Sequence, residues 1–360
     1  MTDEIKKYLH DIIVSEKAIE LLKTLIQTPS ISRSEDKTAD VLEAFLVKEG
    51  CKVHRKHNNV WVFGEIDPGK KTVLLNSHHD TVKPVSGWTR NPFSPDVEGD
   101  KLFGLGSNDA GGSLVSLLIV FLYFCQNKNA AYNLIFAATA EEEVSGDKGI
   151  ESILDELGHF DFAIVGEPTQ MQAAIAEKGL LVLDCIAHGK AGHAARNDGE
   201  NAILMALNDI QRLLGYEFEK KSDFLGDVKV TATQINGGTQ HNIIPDQCNF
   251  VLDVRVNEMY SNSEVFEILK NMMKSEITAR SFRLNSSFID KEHEIVKKAL
   301  NLQLKTYGSP TLSDQAHLKC PSLKMGPGSS ERSHTANEYI GISEIEFAIK
   351  TYIALLMFND

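Results

Sequence analysis

The chain has 360 residues, with 37 Lys or Arg against 50 Asp or Glu, so its formal net charge is −13. Such acidity disfavours nucleic-acid binding, and no basic stripe offsets it. Hydrophobic residues make up 42%, which excludes collagen-like and disordered classes, and the length favours two domains.

The first part of the chain predicts helices alternating with continuous apolar strands. Two amphipathic helices are predicted near 15–26 and 35–49, the second with Ser32 and Glu35 as a capping box. The next strands are predicted at 72–77, 133–140 and 162–166, with helices at 111–125 and 149–157. This alternation is typical of an α/β fold with a mainly parallel sheet and helices on both faces.

The pattern changes after residue 173 and predicts a second, smaller domain. Its elements follow the order β-α-β-β-α-β, which is the ferredoxin-like arrangement, with the last helix at 264–277 and the last strand at 279–288. The helix-and-strand alternation returns near residue 288. We therefore predict a larger domain formed by 1–173 and 288–360, with an inserted domain at 174–287.

Cysteine usage and charge patterning predict a cytoplasmic protein that does not enter a membrane. The five cysteines are scattered and form no CxxC pair, so a disulfide framework is not expected. Charged residues interrupt the first twenty positions, unlike a signal or transit peptide. The most apolar run, 114–125, would span roughly 18 Å as a helix, short of the about 30 Å of a bilayer core.

Candidate chemistry lies where predicted strands end, because functional groups gather at the carboxyl ends of strands in an open α/β sheet. A further carboxylate precedes a Gly-Gly helix start, and a His follows a Gly-Pro-Gly turn. These side chains are His78, His79, Asp80, Asp109, Glu141, Glu142, Glu143, Glu167 and His334. Histidines and carboxylates without clustered cysteines suit zinc or a similar divalent ion. Two His and three carboxylates are enough for two ions, with another carboxylate free to accept the proton of a water.

Each of these features also has an ordinary structural explanation. A His-x-Asp pair is usually a hydrogen bond on the surface or in the core. An acidic triplet after a strand is usually a solvated helix start. Asp109 is compatible with a simple turn, and His334 with a structural histidine. The order and spacing of the features together favour a functional site.

The motifs resemble those of the dinuclear-zinc amidohydrolases that include acetylornithine deacetylase, succinyl-diaminopimelate desuccinylase, aminoacylase and glutamate carboxypeptidases. The resemblance covers nearly the whole chain and is closest to the acetylornithine deacetylase branch in the GHAARNDGENAI stretch and in size. The motifs are SHHDTV (77–82), GLGSNDAGG (104–112), ATAEEEVSG (138–146), VGEPT (165–169), HGKAGHAA (188–195), INGGTQHNIIP (235–245), LDVR (252–255) and GPGSSERSHTANEYI (326–340).

The resemblance implies a set of metal ligands for two divalent ions, zinc or alternatively cobalt. His78 and Glu167 would bind one ion, Glu143 and His334 would bind the other, and Asp109 would bridge them. The resemblance also implies that the peptide bond after Asp109 is cis.

Other residues of the same motifs would act beside the metal ligands. Asp80 would hold the imidazole of His78, and Glu142 would be the general base and then the proton donor to the leaving amine. Two neighbours are expected not to be ligands. His79 would point away from the metals because adjacent residues on a strand face opposite sides, and Glu141 replaces the usual Asp at a position that binds no metal.

The inserted domain would be a lid and a dimerisation module, so a homodimer is expected. His193 would bind the substrate carbonyl and its developing oxyanion, within its own subunit or across the dimer. Asn242, Arg255 and Gly328 would lie near the substrate. Arg255 suits a carboxylate through its planar fork, with an ion pair inside the lid as the alternative. The stretch 194–197 departs from the hydroxyl-rich pattern of many relatives.

The resemblance implies a cytoplasmic hydrolase that removes an acyl group from an N-acyl amino acid. The favoured substrate is N-acetylornithine, which would place the enzyme in arginine biosynthesis. The alternatives are N-acetylcitrulline, N-succinylornithine, succinyl-diaminopimelate and dipeptides. An ornithine ammonium would need an acidic partner such as Glu331 or Asp314, and a succinyl group a cation such as Lys190 or Arg196. A metal-free binding or dimerisation protein is disfavoured because every ligand position is retained.

Overall fold

The computed structural model describes residues 3–196 and 198–357, with side chains described from residue 15 onward. The chain forms two compact units. The first unit comprises Met1–Ile175, Ile289–Tyr307 and Ser313–Asp360, and the second comprises Ala176–Phe288 and Gly308–Leu312. The second unit is therefore built mainly from one continuous stretch that interrupts the sequence of the first.

The amino-terminal part of the first unit alternates helices and strands. Its helices are α1 (Asp3–Gln27), α2 (Asp36–Lys48), α3 (Gly112–Asn127) and α4 (Leu154–Leu157). Its strands are β1 (Val53–Lys56), β2 (Asn59–Phe63), β3 (Thr72–His78), β4 (Val97–Glu98), β5 (Lys101–Phe103), β6 (Asn133–Thr139) and β7 (Phe162–Val165). The predicted helix at 149–157 is only a 3₁₀ turn, Ile150–Ile153, followed by the single turn of α4.

The second unit has the predicted ferredoxin-like order. Strand β8 (Ala173–Glu177) leads into it. Its further elements are β9 (Gly179–His188), β10 (Gly192–His193), α5 (Ala202–Leu214), β11 (Lys229–Gly237), β12 (Ile243–Ile244), β13 (Gln247–Val256), α6 (Asn262–Met272), β14 (Glu276–Ala279) and β15 (Ser287–Phe288). The main sheet is antiparallel, in the order β11-β13-β9-β14. Its apolar face shares one core with residues of α5 and α6.

The last helix of this unit ends earlier than predicted, and its last strand begins earlier than predicted. Helix α6 stops at Met272, and the last strand of the sheet is β14 rather than 279–288. The buried carboxylate of Asp209 explains the boundary, because it accepts hydrogen bonds from the backbone nitrogens of Lys274 and Ser275 and from the Ser275 hydroxyl. This tertiary contact draws the chain out of the helix.

The carboxy-terminal part continues with α7 (Glu294–Asn301), β16 (Thr306–Ser309), β17 (Ser322–Lys324), β18 (Tyr339–Gly341) and α8 (Ile342–Leu356). These elements belong to the first unit, except for the last two residues of β16, which belong to the second. The central sheet runs β1-β2-β6-β3-β7-β17-β8. Its four middle strands, β6, β3, β7 and β17, are parallel. The outer strands β1, β2 and β8 are antiparallel to their neighbours. The α/β fold with parallel central strands is confirmed.

The apolar run that precedes β6 lies in helix α3. The segment Ser107–Asn127 is long and apolar enough to cross a membrane by length and composition, but 83% of its most apolar window is buried inside the protein. Helix α3 packs against α1, α8 and strands β3 and β6. It is therefore a core helix, as the sequence predicts.

The start of helix α2 differs from the prediction. Ser32 and Glu35 do not form a capping box, and no side chain caps this helix. The Ser32 hydroxyl instead donates to Asp80 Oδ2 over 2.8 Å. The Glu35 carboxylate accepts from the Arg33 backbone nitrogen and from Asn58 Nδ2. The capping prediction was wrong because Ser32 binds Asp80, and Glu35 binds Arg33 and Asn58, instead of capping each other's backbone.

Candidate active site

The parallel strands bring the predicted ligands to one edge of the sheet. His78 ends β3, Glu142 and Glu143 follow β6, and Glu167 follows β7, and these three strands are neighbours in the sheet. Asp109 lies in the turn Ser107–Gly111 that precedes α3. His334 follows the 3₁₀ turn Ser330–Arg332. Residues that are far apart in sequence therefore meet at the carboxyl ends of the strands, as the sequence predicts.

The five predicted ligands form two groups that share Asp109. The groups are His78, Asp109 and Glu167, and Asp109, Glu143 and His334, with the ligand atoms of each group within 4.8 Å of one another. His78 Nε2 lies 3.3 Å from Asp109 Oδ1 and 3.6 Å from Glu167 Oε1. His334 Nε2 lies 3.6 Å from Asp109 Oδ2 and 2.9 Å from Glu143 Oε2. The two oxygens of Asp109 thus face different groups.

The charges of this cluster fit divalent cations. Burial raises the pKa of Glu142 well above its usual value, and nearby carboxylates such as Glu167 raise it further against the opposing effect of His78. Burial likewise raises the pKa of Glu167 to about 8, with Asp109 contributing. Buried carboxylates that repel one another are the environment a bound cation neutralises. Imidazole and carboxylate ligands in this number suit two ions of the zinc type.

Asp80 connects the imidazole of His78 to the acidic segment. Asp80 is fully buried, and its carboxylate lies 3.5 Å from His78 Nδ1. The Asp80 carboxylate also accepts hydrogen bonds from the backbone nitrogens of Glu142 and Glu143, over 3.0 and 3.2 Å. Burial would raise the pKa of Asp80, but the bonds from His78 and Ser32 lower it. An ionised Asp80 therefore orients a ligand and the backbone of the predicted base together.

His79 is directed away from the metal ligands. Its Nδ1 lies 2.9 Å from Thr38 Oγ1, and its Nε2 lies 2.8 Å from the carbonyl oxygen of Asn58. Burial lowers the pKa of His79 to about 4, so its imidazole is neutral near pH 7. His79 belongs to neither ligand group. Its two hydrogen bonds serve the core beneath the site.

Glu338 shapes the turn that carries Asp109. It lies in the motif 326–340, but no role was predicted for it from the sequence. Its buried carboxylate accepts hydrogen bonds from the backbone nitrogens of Gly106 over 3.0 Å, Asn108 over 2.8 Å and Asp109 over 3.0 Å. Burial raises the pKa of Glu338 to about 8. The Asp109–Ala110 peptide bond in this turn is cis, which confirms the expectation from the resemblance.

We expect Glu338→Gln to weaken metal binding about tenfold or more. The amide keeps the size of the side chain but places an NH₂ group against a backbone N–H donor, which leaves a buried donor without an acceptor. Zinc titration of the metal-free protein measures the effect. Glu346→Gln is the matched control, because Glu346 lies on α8 without a described side-chain partner. An unchanged zinc affinity in Glu338→Gln would show that this carboxylate does not position Asp109.

Gly328 lies beside the turn that carries the bridging carboxylate. Its φ is +83°, and a Cβ atom there would collide with Asn108 Oδ1. The Asn108 side chain is fully buried and holds Ser329, accepting from its nitrogen over 2.9 Å and donating to its oxygen over 3.1 Å. The structure therefore places Gly328 next to the metal-ligand cluster. Its contact with substrate stays a prediction.

The predicted lid residues lie in the second unit. His193 pairs with Ile243 between β10 and β12. The backbone nitrogen of Ala194 donates to the backbone carbonyl oxygen of Asn242 over 3.0 Å. His193 and Asn242 are therefore neighbours. Arg255 makes two bonds to the Asp253 carboxylate, of 2.8 and 3.0 Å. The ion pair within the lid is therefore formed. Substrate contacts of all three predicted residues stay predictions.

Asp314 does not offer an exposed carboxylate to a substrate. It is 4% exposed and accepts a hydrogen bond from Thr139 Oγ1 over 2.6 Å. Its negative charge is one of those that raise the pKa of Glu142. This position favours a structural and electrostatic effect on the base over direct recognition of an ammonium group.

Comparison with known proteins agrees with this geometry. A sequence model of peptidase family M20/M25/M40 matches residues 74–357. A succinyl-diaminopimelate desuccinylase of Orientia tsutsugamushi is 26% identical over 96% of this chain and 97% of its own. An acetylornithine deacetylase of Proteus mirabilis is 27% identical over 91% of this chain and 93% of its own. The Bacillus subtilis YXEP protein, described as a dinuclear metal-binding peptidase, matches with a TM-score of 0.75 at 17% identity, covering 96% of this chain and 97% of that one.

The matched region contains all five predicted ligands and the predicted base, from His78 to His334. The likeness to the solved structure extends over both units and supports the same fold. The chain therefore belongs to peptidase family M20/M25/M40, and it is a metallopeptidase-type amidohydrolase that cleaves amide bonds.

Proposed function

We propose that this protein hydrolyses N-acetylornithine to ornithine and acetate. The position of Glu142 is the observation that supports amide cleavage. Its Oε2 lies 3.9 Å from His78 Nε2, although Glu142 belongs to neither ligand group. A carboxylate beside the metal ligands, but not used by them, is free to move a proton. The N-acyl amino acid class is supported by the relatives named as a deacetylase and a desuccinylase.

Two zinc ions, or cobalt in their place, would be held by the two ligand groups. When bound, they supply the positive charge that polarises the amide carbonyl and acidifies a water molecule. Glu142 accepts the proton of the attacking water and delivers it to the amide nitrogen, because an amine leaves readily only when protonated. Asp80 holds His78 and the backbone of Glu142 in place for these events.

Both acetyl and succinyl substrates belong in the test, because the desuccinylase and deacetylase relatives are almost equally similar to this chain. N-acetylcitrulline, N-succinylornithine, succinyl-diaminopimelate and dipeptides are the other candidates. Measuring kcat/KM of the zinc-loaded protein on this panel tests the proposal. We expect the highest value for N-acetylornithine, and a clear preference for a succinyl substrate or a dipeptide would replace it.

We expect His193→Ala to lower kcat by about 10²–10³-fold with zinc content unchanged, because the proposed role of His193 is to donate to the developing oxyanion. The imidazole is exposed in the second unit, so its removal should not disturb the core. His188→Ala is the matched control, since His188 is an exposed histidine of the same unit that pairs with Glu276. An unchanged kcat in His193→Ala would remove this residue from the mechanism.

We also propose that the protein is a homodimer through the second unit. Helix α5 exposes Leu204, Leu207 and Leu214 by 58%, 48% and 65%. Strand β11 is an edge strand, and its Ile235 is 51% exposed. Apolar side chains along one helix stripe and an unpaired strand edge are features that a second copy would cover.

The double variant Leu204→Glu and Leu207→Glu should sediment as a monomer, because two carboxylates would have to be buried in the proposed interface. Leu300→Glu is the control, since Leu300 is 46% exposed on α7 in the first unit. Circular dichroism should show that both proteins are folded. A wild-type protein that sediments as a monomer at micromolar concentration would contradict the dimer.

A cytoplasmic enzyme of arginine biosynthesis is the setting we propose. Cys51, Cys125, Cys185, Cys248 and Cys320 are all free thiols in the structure, which fits a reducing compartment. Cell fractionation tests the location. Cells that lack the protein should grow only when arginine is supplied, and this growth experiment tests the pathway.

A further inference from the structure

A pocket of about 540 Å³ lies in the first unit, apart from the residues assigned to metal binding and proton transfer. Its polar lining consists of Arg33, His57, Asn58, Glu141, Asp147 and Lys148. None of them is a predicted ligand or the predicted base. The volume is within the range of small-molecule sites. The pocket therefore has room for a ligand that does not occupy the metal cluster.

The lining carries two cations and two anions that do not neutralise one another. Arg33 and Lys148 are cationic, and Glu141 and Asp147 are anionic. Among the described residues, none of these four side chains makes an ion pair or a side-chain hydrogen bond. A lone anion bound here would leave both carboxylates without a partner, and a lone cation would leave Arg33 and Lys148 without one. The lining is complementary to a molecule that carries both charges.

Glu141 is the most informative of the four charged side chains. It is only 6% exposed, and its Oε2 atom has no hydrogen-bond partner among the described residues. A Cβ atom at Gly146 would collide with this carboxylate, so Gly146 leaves the space in which it lies. A buried carboxylate without a partner is costly. A ligand ammonium in the pocket is a cation that would offset this cost through its charge.

The backbone around the pocket is also unusual. Arg33, His57 and Glu141 have φ values of 73°, 55° and 56°. Left-handed conformations are uncommon for residues other than glycine. Such residues tend to cluster at ligand-binding and active sites, where the surrounding structure holds them in place. Three of them lining one pocket is a second sign, independent of charge, that the pocket is a binding site.

We propose that this pocket binds a free α-amino acid, with its carboxylate at Arg33 and Lys148 and its ammonium group at Glu141 and Asp147. The site is linked to the catalytic residues by short connections. Glu141 directly precedes the base Glu142, and Arg33 follows Ser32, whose hydroxyl donates to Asp80 over 2.8 Å. An amino acid bound here therefore lowers turnover without occupying the metal cluster. This regulatory consequence rests on the proposed function, whereas the binding itself does not.

Calorimetric titration of the zinc-loaded protein tests the binding. The probes are L-norvaline, L-ornithine and L-glutamate, together with n-butylamine and butyrate as molecules with one charge each. We expect saturable binding of at least one amino acid and about tenfold or weaker binding of the amine and the acid. The double variant Arg33→Ala and Lys148→Ala should weaken amino-acid binding about tenfold or more. Lys37→Ala, at an exposed lysine of α2 outside the pocket, should bind as the wild type does.

Inhibition kinetics separate binding in the pocket from binding of a product amino acid at the metal site. Binding at the metal site raises KM alone, whereas the pocket predicts a fall in kcat that disappears in the double variant and persists in Lys37→Ala. Asp147→Asn should weaken the same effect from the ammonium side. Absence of saturable binding, equal binding by the double variant, or purely competitive inhibition would overturn the site or its regulatory role. If every hydrolysis assay failed, the proposed function would be wrong, but the calorimetric titration would still show whether the pocket binds an amino acid.

Discussion

Glu142→Ala should lower kcat by about 10²–10⁴-fold or more while the protein keeps its zinc. General acid–base catalysis contributes about this factor for one proton transfer, and Glu142 serves two transfers, from water and to the amine. Its side chain is 13% exposed and lies 3.9 Å from His78 Nε2. The geometry places it beside the ligands without making it one of them.

Two further variants separate the base from its neighbour. Glu142→Asp should keep part of the activity, because the carboxylate remains but lies one methylene short. Glu143→Ala should fail differently, by losing zinc, because Glu143 Oε2 lies 2.9 Å from His334 Nε2 in one ligand group. Measuring kcat and zinc content on the same preparations distinguishes the roles. If Glu142→Ala turned over normally, or lost zinc as Glu143→Ala does, the base would have been assigned to the wrong glutamate.

The sequence predicted the ligand cluster because each ligand is tied to a local pattern. His78, Glu143 and Glu167 follow buried apolar strands, and parallel strands place their carboxyl ends together. Asp109 and His334 were candidates from the glycine-rich segments beside them, but their assignment to particular ions came from the resemblance, since a turn and a loop do not show where a side chain points. The antiparallel outer strands were not predicted, because an apolar run of residues does not reveal the direction of its neighbour.

The supporting hydrogen bonds could not be predicted for a different reason. Glu338 binds three backbone nitrogens, and Asn108 binds the backbone of Ser329. Because the partners are backbone groups, no residue type at the partner position indicates these contacts. Ser32 has the spacing of a capping residue, yet Asp80 takes its hydroxyl. Partners that are distant in sequence decided each of these cases, and a single sequence contains no record of them.

Asp109→Ala should remove both metal ions and lower kcat/KM by about 10³-fold or more, because metal charge contributes several kcal/mol to such reactions. Asp109 is the one side chain that belongs to both ligand groups. Glu167→Ala and His334→Ala should each weaken one ion only. Elemental analysis after gel filtration measures the stoichiometry, with Asp155→Ala, at an exposed carboxylate, as the control.

The two groups should also differ in how readily they lose metal. The His334 side chain is 52% exposed, whereas that of His78 is 1% exposed. A chelator should therefore remove the ion of the His334 group first, and stepwise chelation should pass through a protein with one ion per chain. His334→Ala should resemble this state in zinc content and activity. Zinc or cobalt should restore activity to the chelated wild type but not to Asp109→Ala. Full activity in metal-free protein, or retention of both ions by Asp109→Ala, would contradict the shared role of this carboxylate.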